Sequence, residues 1–276
     1  MTKLEKKLLE KNWITGLQFL KAKEEAQKLK KSFYAAIIKL GYLTEEDIFT
    51  FFSQETRIPL VNISEYKLNP ELLRLFPEEF YRENLFVPLF KIENNLYLGM
   101  MNPLNTELIE RVEKETNSTV IPLFSSPSAI LKALDNFFGP KDYYVDLEDL
   151  TISSSRLSFP FYRDSERVKV NLPVEIKPVD KNIELVTSSY IPATCVDISE
   201  NAEAIGVRIF IYFPSKIRLL IKFPSQEEIE GEVVHCTVKE KGYYLLGIKF
   251  FEKQKEFLEK FLKEKNLTFL KEDGML

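Results

Sequence analysis

From Val168 onward the apolar side chains of this chain fall on every second residue, Val168, Val170, Leu172, Val174 and Ile176 alternating with Lys169, Asn171, Pro173 and Glu175. A period of two turns one face of a strand to a core and the other to water, so it demands a sheet with one buried face. The same alternation marks residues 207–213, 217–223 and 244–250. Repeated half-buried strands of this kind predict an antiparallel β-barrel of six or seven strands. Phe257, Leu258, Phe261 and Leu262 then return to helical spacing, which predicts a helix closing the barrel.

The first fifty-odd residues follow the other period. Leu17 and Leu20, Ile37 and Ile38, then Ile48, Phe51 and Phe52 are spaced for helices. Inside this stretch Leu8-Leu9-Glu10-Lys11-Asn12-Trp13-Ile14-Thr15 recurs 29 residues later as Ile37-Ile38-Lys39-Leu40-Gly41-Tyr42-Leu43-Thr44. Each copy reads as a helix end, a turn and a new helix start. Thr15 with Gln18, and Thr44 with Asp47, have the spacing that satisfies the first free N–H groups of the following helix.

Between residues 58 and 138 extended segments alternate with helices, and proline marks the junctions. Asn69-Pro70 opens a helix, because asparagine caps and proline suits the first helical position. Residues 85–90 and 96–101 flank Glu93-Asn94-Asn95 as a hairpin. A helix is expected over 108–116, a strand over 119–123, and a last helix from Ser126-Pro127 with Ile130, Leu134 and Phe137 on one face. Gly139-Pro140 ends it, and residues 141–158 mix aspartate, tyrosine and serine without a period, as a linker does.

The fold class expected is therefore α+β in two domains, which a length of 276 residues accommodates. The amino-terminal domain is placed at 1–139, with a helical part to about 56 and an α/β part from about 57, a linker at 140–160, and the barrel at 161–276.

A formal net charge of -4 argues against DNA or RNA as a general partner, since phosphate binding draws on a surplus of lysine and arginine. The chain has only Cys195 and Cys236, too few for a disulfide framework, and its start lacks the apolar stretch of a signal peptide. No run of about 18 apolar residues offers a membrane span. A cytoplasmic protein with no direct membrane insertion is expected.

Catalysis has little to draw on. His235 is the only histidine, lies on a strand beside Cys236, and reads as structural. With both cysteines it makes three ligands where a structural zinc takes four, so no metal is expected unless a carboxylate joins. Both cysteines read as core thiols. No Gly-rich loop ending in Gly-Lys-Ser/Thr is present. Neither catalytic residues nor a cofactor is assigned, and the chain is expected not to be an enzyme.

A more specific constellation stands at the start of the barrel. Arg163-Asp164-Ser165-Glu166-Arg167 precedes the first alternating strand, and Asp197-Ile198-Ser199 follows about thirty residues on. Guanidinium groups fork onto phosphate oxygens or onto the O6/N7 edge of guanine, and also stack on the base. A carboxylate accepts from the N1–H and exocyclic amine of guanine. Taken singly these motifs describe ordinary solvated surface; the joint arrangement carries the signal.

That arrangement resembles the PilZ domain, a family of β-barrel receptors for the bacterial second messenger cyclic di-GMP. The family carries an Arg-x-x-x-Arg motif and an Asp/Asn-x-Ser-x-x-Gly motif. The likeness runs from about Phe161 to Lys265, and Gly231-Glu232-Val233-Val234 and Gly247-Ile248-Lys249-Phe250 look like the family's last strands. The resemblance implies that Arg163 and Arg167 grip guanine and phosphate while Asp197 and Ser199 meet the other guanine edge. The family's glycine five residues after the aspartate is replaced here by Ala202, and Glu200 and Glu203 bring negative charge toward a dianion.

The amino-terminal half resembles the amino-terminal domain of type II secretion and type IV pilus ATPases, the MshE N-terminal group. The 29-residue repeat, Thr56-Arg57-Ile58-Pro59-Leu60-Val61 and Val87-Pro88-Leu89 through Met101-Asn102-Pro103 carry the likeness. In the nucleotide-binding members each repeat has an Arg-Leu-Gly and a later glutamine. Here those positions read Lys3-Leu4-Glu5 and Ser32-Phe33-Tyr34, with Ala26 and Glu55 where the glutamines stand. No nucleotide is expected in this half, which is read as a docking surface.

The resemblances together imply a cyclic di-GMP-responsive adaptor that regulates a bacterial surface or motility machine through a protein partner of pilus, secretion or flagellar machinery. The alternative is a nucleotide-independent scaffold docking on the same class of partner.

Overall fold

The computed structural model describes residues 2–141, 167–187, 189–199, 203–225, 227–240 and 243–251, with the backbone alone at Lys3, Arg167, Lys239 and Glu240. The chain is α+β and divides into two compact units, Met1–Ser158 and Phe159–Leu276. The expected linker beyond Lys141, Arg163, Ala202 and the expected closing helix at Phe257, Leu258, Phe261 and Leu262 lie outside the described residues.

The first unit begins with four helices, α1 (Lys3–Glu10), α2 (Gly16–Leu29), α3 (Phe33–Lys39) and α4 (Glu45–Thr56). The repeat in the sequence is a repeat of helix ends and starts. Trp13 N donates to Leu8 O at 2.9 Å and Tyr42 N to Ile37 O at 3.1 Å. Each closure passes through a left-handed residue, Asn12 at φ 57° and Gly41 at φ 69°, the conformation that glycine and asparagine tolerate best. Thr15 and Thr44 then start α2 and α4 with reciprocal capping boxes to Gln18 and Asp47.

After a 3-10 turn at Ile63–Glu65 come α5 (Pro70–Leu73), α6 (Glu78–Asn84), β1 (Phe86–Ile92), β2 (Asn95–Met100), α7 (Thr106–Thr116), β3 (Thr119–Phe124) and α8 (Pro127–Phe138). β1 and β2 form the expected hairpin, and β3 joins β2 in parallel, its approach made by α7 as parallel pairing requires. Val61 N donates to Phe124 O at 2.7 Å and Phe124 N to Pro59 O at 2.8 Å, which binds the chain after α4 to the edge of β3. Phe124 also meets Phe49 and Phe52 of α4, ring centroids 6.1 and 6.2 Å apart. The helical and α/β parts therefore share one aromatic core.

Arg82 of α6 is fully buried. Its guanidinium donates to Glu78 Oε1 at 2.7 Å, Asp135 Oδ1 at 2.8 Å and Gly139 O at 3.1 Å, tying α6 to both ends of the last turn of α8.

The second unit is a closed barrel of six described strands, β4 (Arg167–Pro178), β5 (Ile191–Ser199), β6 (Ala204–Ile209), β7 (Arg218–Lys222), β8 (Glu228–Glu240) and β9 (Tyr243–Phe250), in the order β4-β5-β6-β9-β8-β7. All six neighbours pair antiparallel, β7 returning to β4. Closure leaves no free edge among them. Val174, Ile176, Cys195, Ile198, Ile205, Val207, Leu219, Val233, Leu246 and Ile248 fill the interior.

One strand differs from its sequence expectation. The alternation over 207–213 predicts a strand there, whereas β6 spans Ala204–Ile209 and Ile211, Tyr212 and Phe213 are all buried in the loop that follows. Three consecutive buried side chains cannot share one face of a strand, so their burial does not follow the alternation.

Asp135→Ala leaves the buried guanidinium of Arg82 short of one charged acceptor. It is expected to lower the stability of the first unit by about 2 kcal/mol, read as a lower urea midpoint; an unchanged midpoint contradicts the role given to this triad.

Candidate functional site

The barrel's pairing register decides which polar side chains meet. β4 enters the sheet at Arg167 and runs antiparallel to the end of β5, so Arg167 stands opposite Ser199, Val168 opposite Ile198 and Lys169 opposite Asp197. Arg167, the last residue of the arginine motif, and the Asp-x-Ser motif, about thirty residues apart in sequence, are thereby neighbours in the sheet. Lys169 is exposed and Asp197 half-buried.

Asp197 reaches its position through an irregularity in the ladder. Between Cys195 and Asp197 the register against β6 shifts, so that Cys195 pairs with Val207 and Asp197 with Gly206. Val207 is an interior residue; Gly206, one residue before it, faces outward. The Asp197 carboxylate lies flat on that glycine: a Cβ there would stand 2.8 Å from Asp197 Cγ. Only glycine leaves room for the acid in this pose.

Ser199 occupies a different environment. It is buried, and its hydroxyl oxygen accepts from Glu203 N at 3.1 Å and Ala204 N at 2.9 Å. Those amides open β6, so the serine ties the end of one strand to the start of the next in the manner of a side-chain turn. The hydroxyl hydrogen is what it has left to donate. Cys195 is buried, and burial pushes the Cys236 thiol well above the ordinary thiol range, as core thiols behave.

His235 is not a core residue. Val233 points inward on β8, whereas the imidazole of His235 lies over Gly247 of β9 on the outer face, where a Cβ would stand 2.7 Å from Nε2. Sequence reasoning missed this setting, because the surface under the ring is a glycine from a strand paired at distance. Among the described residues no group of three histidine, cysteine or acidic side chains is arranged to hold a metal. No helix among them is long and apolar enough to cross a membrane.

In the first unit, the positions matching the nucleotide motif of the amino-terminal resemblance are engaged in internal contacts. Glu5 is buried and accepts from Thr2 N at 2.9 Å and Lys23 Nζ at 2.8 Å. Ser32 caps α3 through Ala35 N at 3.0 Å, and Phe33, Tyr34 and Ala26 are buried. Glu55, its side chain 3% exposed, is clasped by Lys7 and Lys11. Burial pushes its carboxyl up, but the hydrogen bonds and charges of the two lysines outweigh this and hold it below the usual carboxylate range.

The architecture defines a class: a helical and α/β unit joined in one chain to a six-stranded antiparallel barrel with a polar strip across its outer face. Residues 56–143 match the family model of the MshEN domain and residues 162–264 that of the PilZ domain. In chain order the two matches are thus an MshEN domain model followed by a PilZ domain model. It is similar to the type IV pilus assembly ATPase PilB of Myxococcus xanthus, 26% identical over 143 residues, which are 52% of this chain and 25% of that protein. The type IV pilus assembly ATPase PilB of Thermus thermophilus is 28% identical over 129 residues, 46% of this chain and 14% of that protein. The matches span a quarter or less of the length of these curated relatives. Among solved structures, MshE with cdg aligns over 50% of this chain and 99% of that one, at 17% identity and a TM-score of 0.44. The Bacillus subtilis inhibitor of motility MotI/DgrA aligns over 39% and 53%, at 21% identity and a TM-score of 0.27.

Ser199→Ala removes the acceptor of two amides at the start of β6 and is expected to cost about 1–3 kcal/mol, seen in chemical denaturation of the barrel; a neutral result contradicts the turn role. The folded carboxyl of Glu55 titrates below its unfolded value, so its contribution is complete at neutral pH and is lost as pH falls through about 4 toward the folded value. Stability of the first unit is expected to drop more steeply between about pH 5 and 3 in the wild type than in Glu55→Gln, and parallel curves contradict the clasp.

Proposed function

We propose that the chain is a cyclic di-GMP-responsive adaptor without catalytic activity that regulates a type IV pilus or secretion machine through protein contacts. The observation that supports this best is the β4–β5 register, with Arg167 opposite Ser199 and Lys169 opposite Asp197. A doubly charged guanine dinucleotide needs cations for its phosphates and an acceptor for the N1–H and amine of its base, and this strip offers both kinds of group side by side. The match to the PilZ domain supports the choice of ligand. The MshEN match and the likeness to two PilB sequences support a pilus or secretion machine as the regulated system.

In this reading Arg163 and Arg167 hold phosphate and guanine while Asp197 takes the base edge. Ser199 shapes the turn that presents Asp197 and offers its one remaining hydrogen. The MshEN domain supplies the protein-facing surface, and residues 140–160 act as the tether. Ligand binding changes output only to the extent that it favours one arrangement of the two domains over the other, a differential affinity that needs no covalent step.

A nucleotide-independent scaffold is the second reading. The Ser199 hydroxyl, already accepting two amides in a buried position, favours it, because a serine so engaged has little left for a ligand.

Titration calorimetry of the full chain with cyclic di-GMP separates the two. Saturable binding is expected, weakened at least about tenfold in Arg163→Ala and in Asp197→Ala, the loss of one charged hydrogen-bonding partner. A folded wild-type chain that releases no heat supports the scaffold instead.

A further inference from the structure

Five residues form one transverse row on the outer face of the barrel. Lys169 of β4 pairs with Asp197 of β5, Asp197 with Gly206 of β6, Gly206 with Gly247 of β9, and Gly247 with His235 of β8. The residues flanking the two glycines in their strands, Ile205, Val207, Leu246 and Ile248, are all fully buried in the interior, so the row faces outward. Its two middle positions carry no side chain. Onto that bare strip the flanking groups lie down from opposite sides, the Asp197 carboxylate over Gly206 and the His235 imidazole over Gly247.

The two glycines are direct cross-strand partners, and the Cβ positions of such a pair stand about 4.5–5.5 Å apart. An acid and an imidazole therefore occupy adjoining squares of one sheet surface. An aromatic ring covering a strand glycine is a known packing device. Packing alone does not ask for a carboxylate folded onto the neighbouring glycine, nor for a titratable ring, so the row has the composition of a recognition surface.

We propose that His235 is a ligand-contacting side chain paired with Asp197, and that the pair makes binding to this face depend on pH in the neutral range. The inference rests on the reading of this face as the cyclic di-GMP site. Carboxylate and imidazolium are complementary there: the acid accepts from the N1–H and amine of guanine, and the protonated ring donates to a phosphate oxygen or to guanine O6 or N7. The ring also offsets the repulsion between Asp197 and a dianion.

The charges around the ring act in both directions. Asp197 in the row, Glu232 on β8 itself and Glu203 ahead of β6 favour the imidazolium. Lys249 of β9, cross-strand from Glu232, Arg208 of β6 on the other side of the row, Lys169 at its far end and Lys216 ahead of β7, whose N donates to Val233 O, oppose it. Because a dianion binds the protonated form more tightly, affinity falls as pH rises through the imidazole pKa, and bound ligand raises that pKa.

His235 is the only histidine in the sequence, so the chain has one imidazole C–H resonance to follow by proton NMR. Its titration in the full-length wild type is compared with that in Asp197→Asn, and calorimetry with cyclic di-GMP is run from about pH 6 to pH 8 on the wild type, His235→Gln and His235→Asn. The midpoint is expected to fall by about half a pH unit or more in Asp197→Asn and to rise when cyclic di-GMP is added. Wild-type affinity is expected to weaken about three- to tenfold between pH 6 and pH 8, with a flat profile in both histidine variants. An imidazole midpoint unmoved by Asp197→Asn overturns the pairing. Wild-type binding that is tight but independent of pH, and unaltered in both variants, overturns the role of His235 and leaves the cyclic di-GMP site standing. A folded wild type that binds no cyclic di-GMP at any pH overturns that site and the role together.

Discussion

The antiparallel ladder between β4 and β5 is the constraint from which the rest of the barrel's surface follows. It begins at Arg167, ends the facing strand at Ser199, and is held in register by the hydrophobic positions behind it. A slip of one residue would turn Val174, Ile176, Cys195 and Ile198 out of the core, so burial fixes the pairing and the pairing fixes the surface. Closure through β7 onto β4 removes the last freedom, since a sheet without edges cannot shift one strand alone. Lys169, Asp197, Gly206, Gly247 and His235 share a row because the interior behind them allows no other alignment.

The first unit solves a similar problem with helices. Two copies of one local device, a left-handed residue followed by a threonine-capped start, set the angles at which four short helices meet. Phe49, Phe52 and Phe124 then join them to the small sheet. Carboxylates at Glu5 and Glu55 are matched by lysines of the same unit. These two carboxylates are thereby committed to the unit's own fold. Leu17 and Leu20 on α2 are exposed.

What the sequence made legible divides along the range of the interaction. Caps at Thr15 and Thr44, the hairpin turn at Glu93, the helix start at Pro127 and the alternation of the barrel strands are local signals, and each marks an element close to where the structure has one. The extent of β6 was not legible, because the burial of Ile211, Tyr212 and Phe213 in the loop after it is set by the folded barrel and not by their alternation. The candidate site was half legible. Asp197 and Ser199 stand out as a motif, but the distinct work of the buried serine depends on amides at Glu203 and Ala204. His235 looked structural because its setting is made by Gly247 and, one strand further, by Asp197 over Gly206, contacts that only the strand order β5-β6-β9-β8 creates.

The central claim is that a single outward strip of the barrel takes the nucleotide. Amide chemical-shift mapping of the isotopically labelled full chain with cyclic di-GMP tests it most directly. The account predicts changes concentrated at Arg167 to Lys169, Asp197 to Gly206, His235 and Gly247, with the helices of the first unit little affected. Changes confined to those helices, or none anywhere at saturating nucleotide, would contradict it.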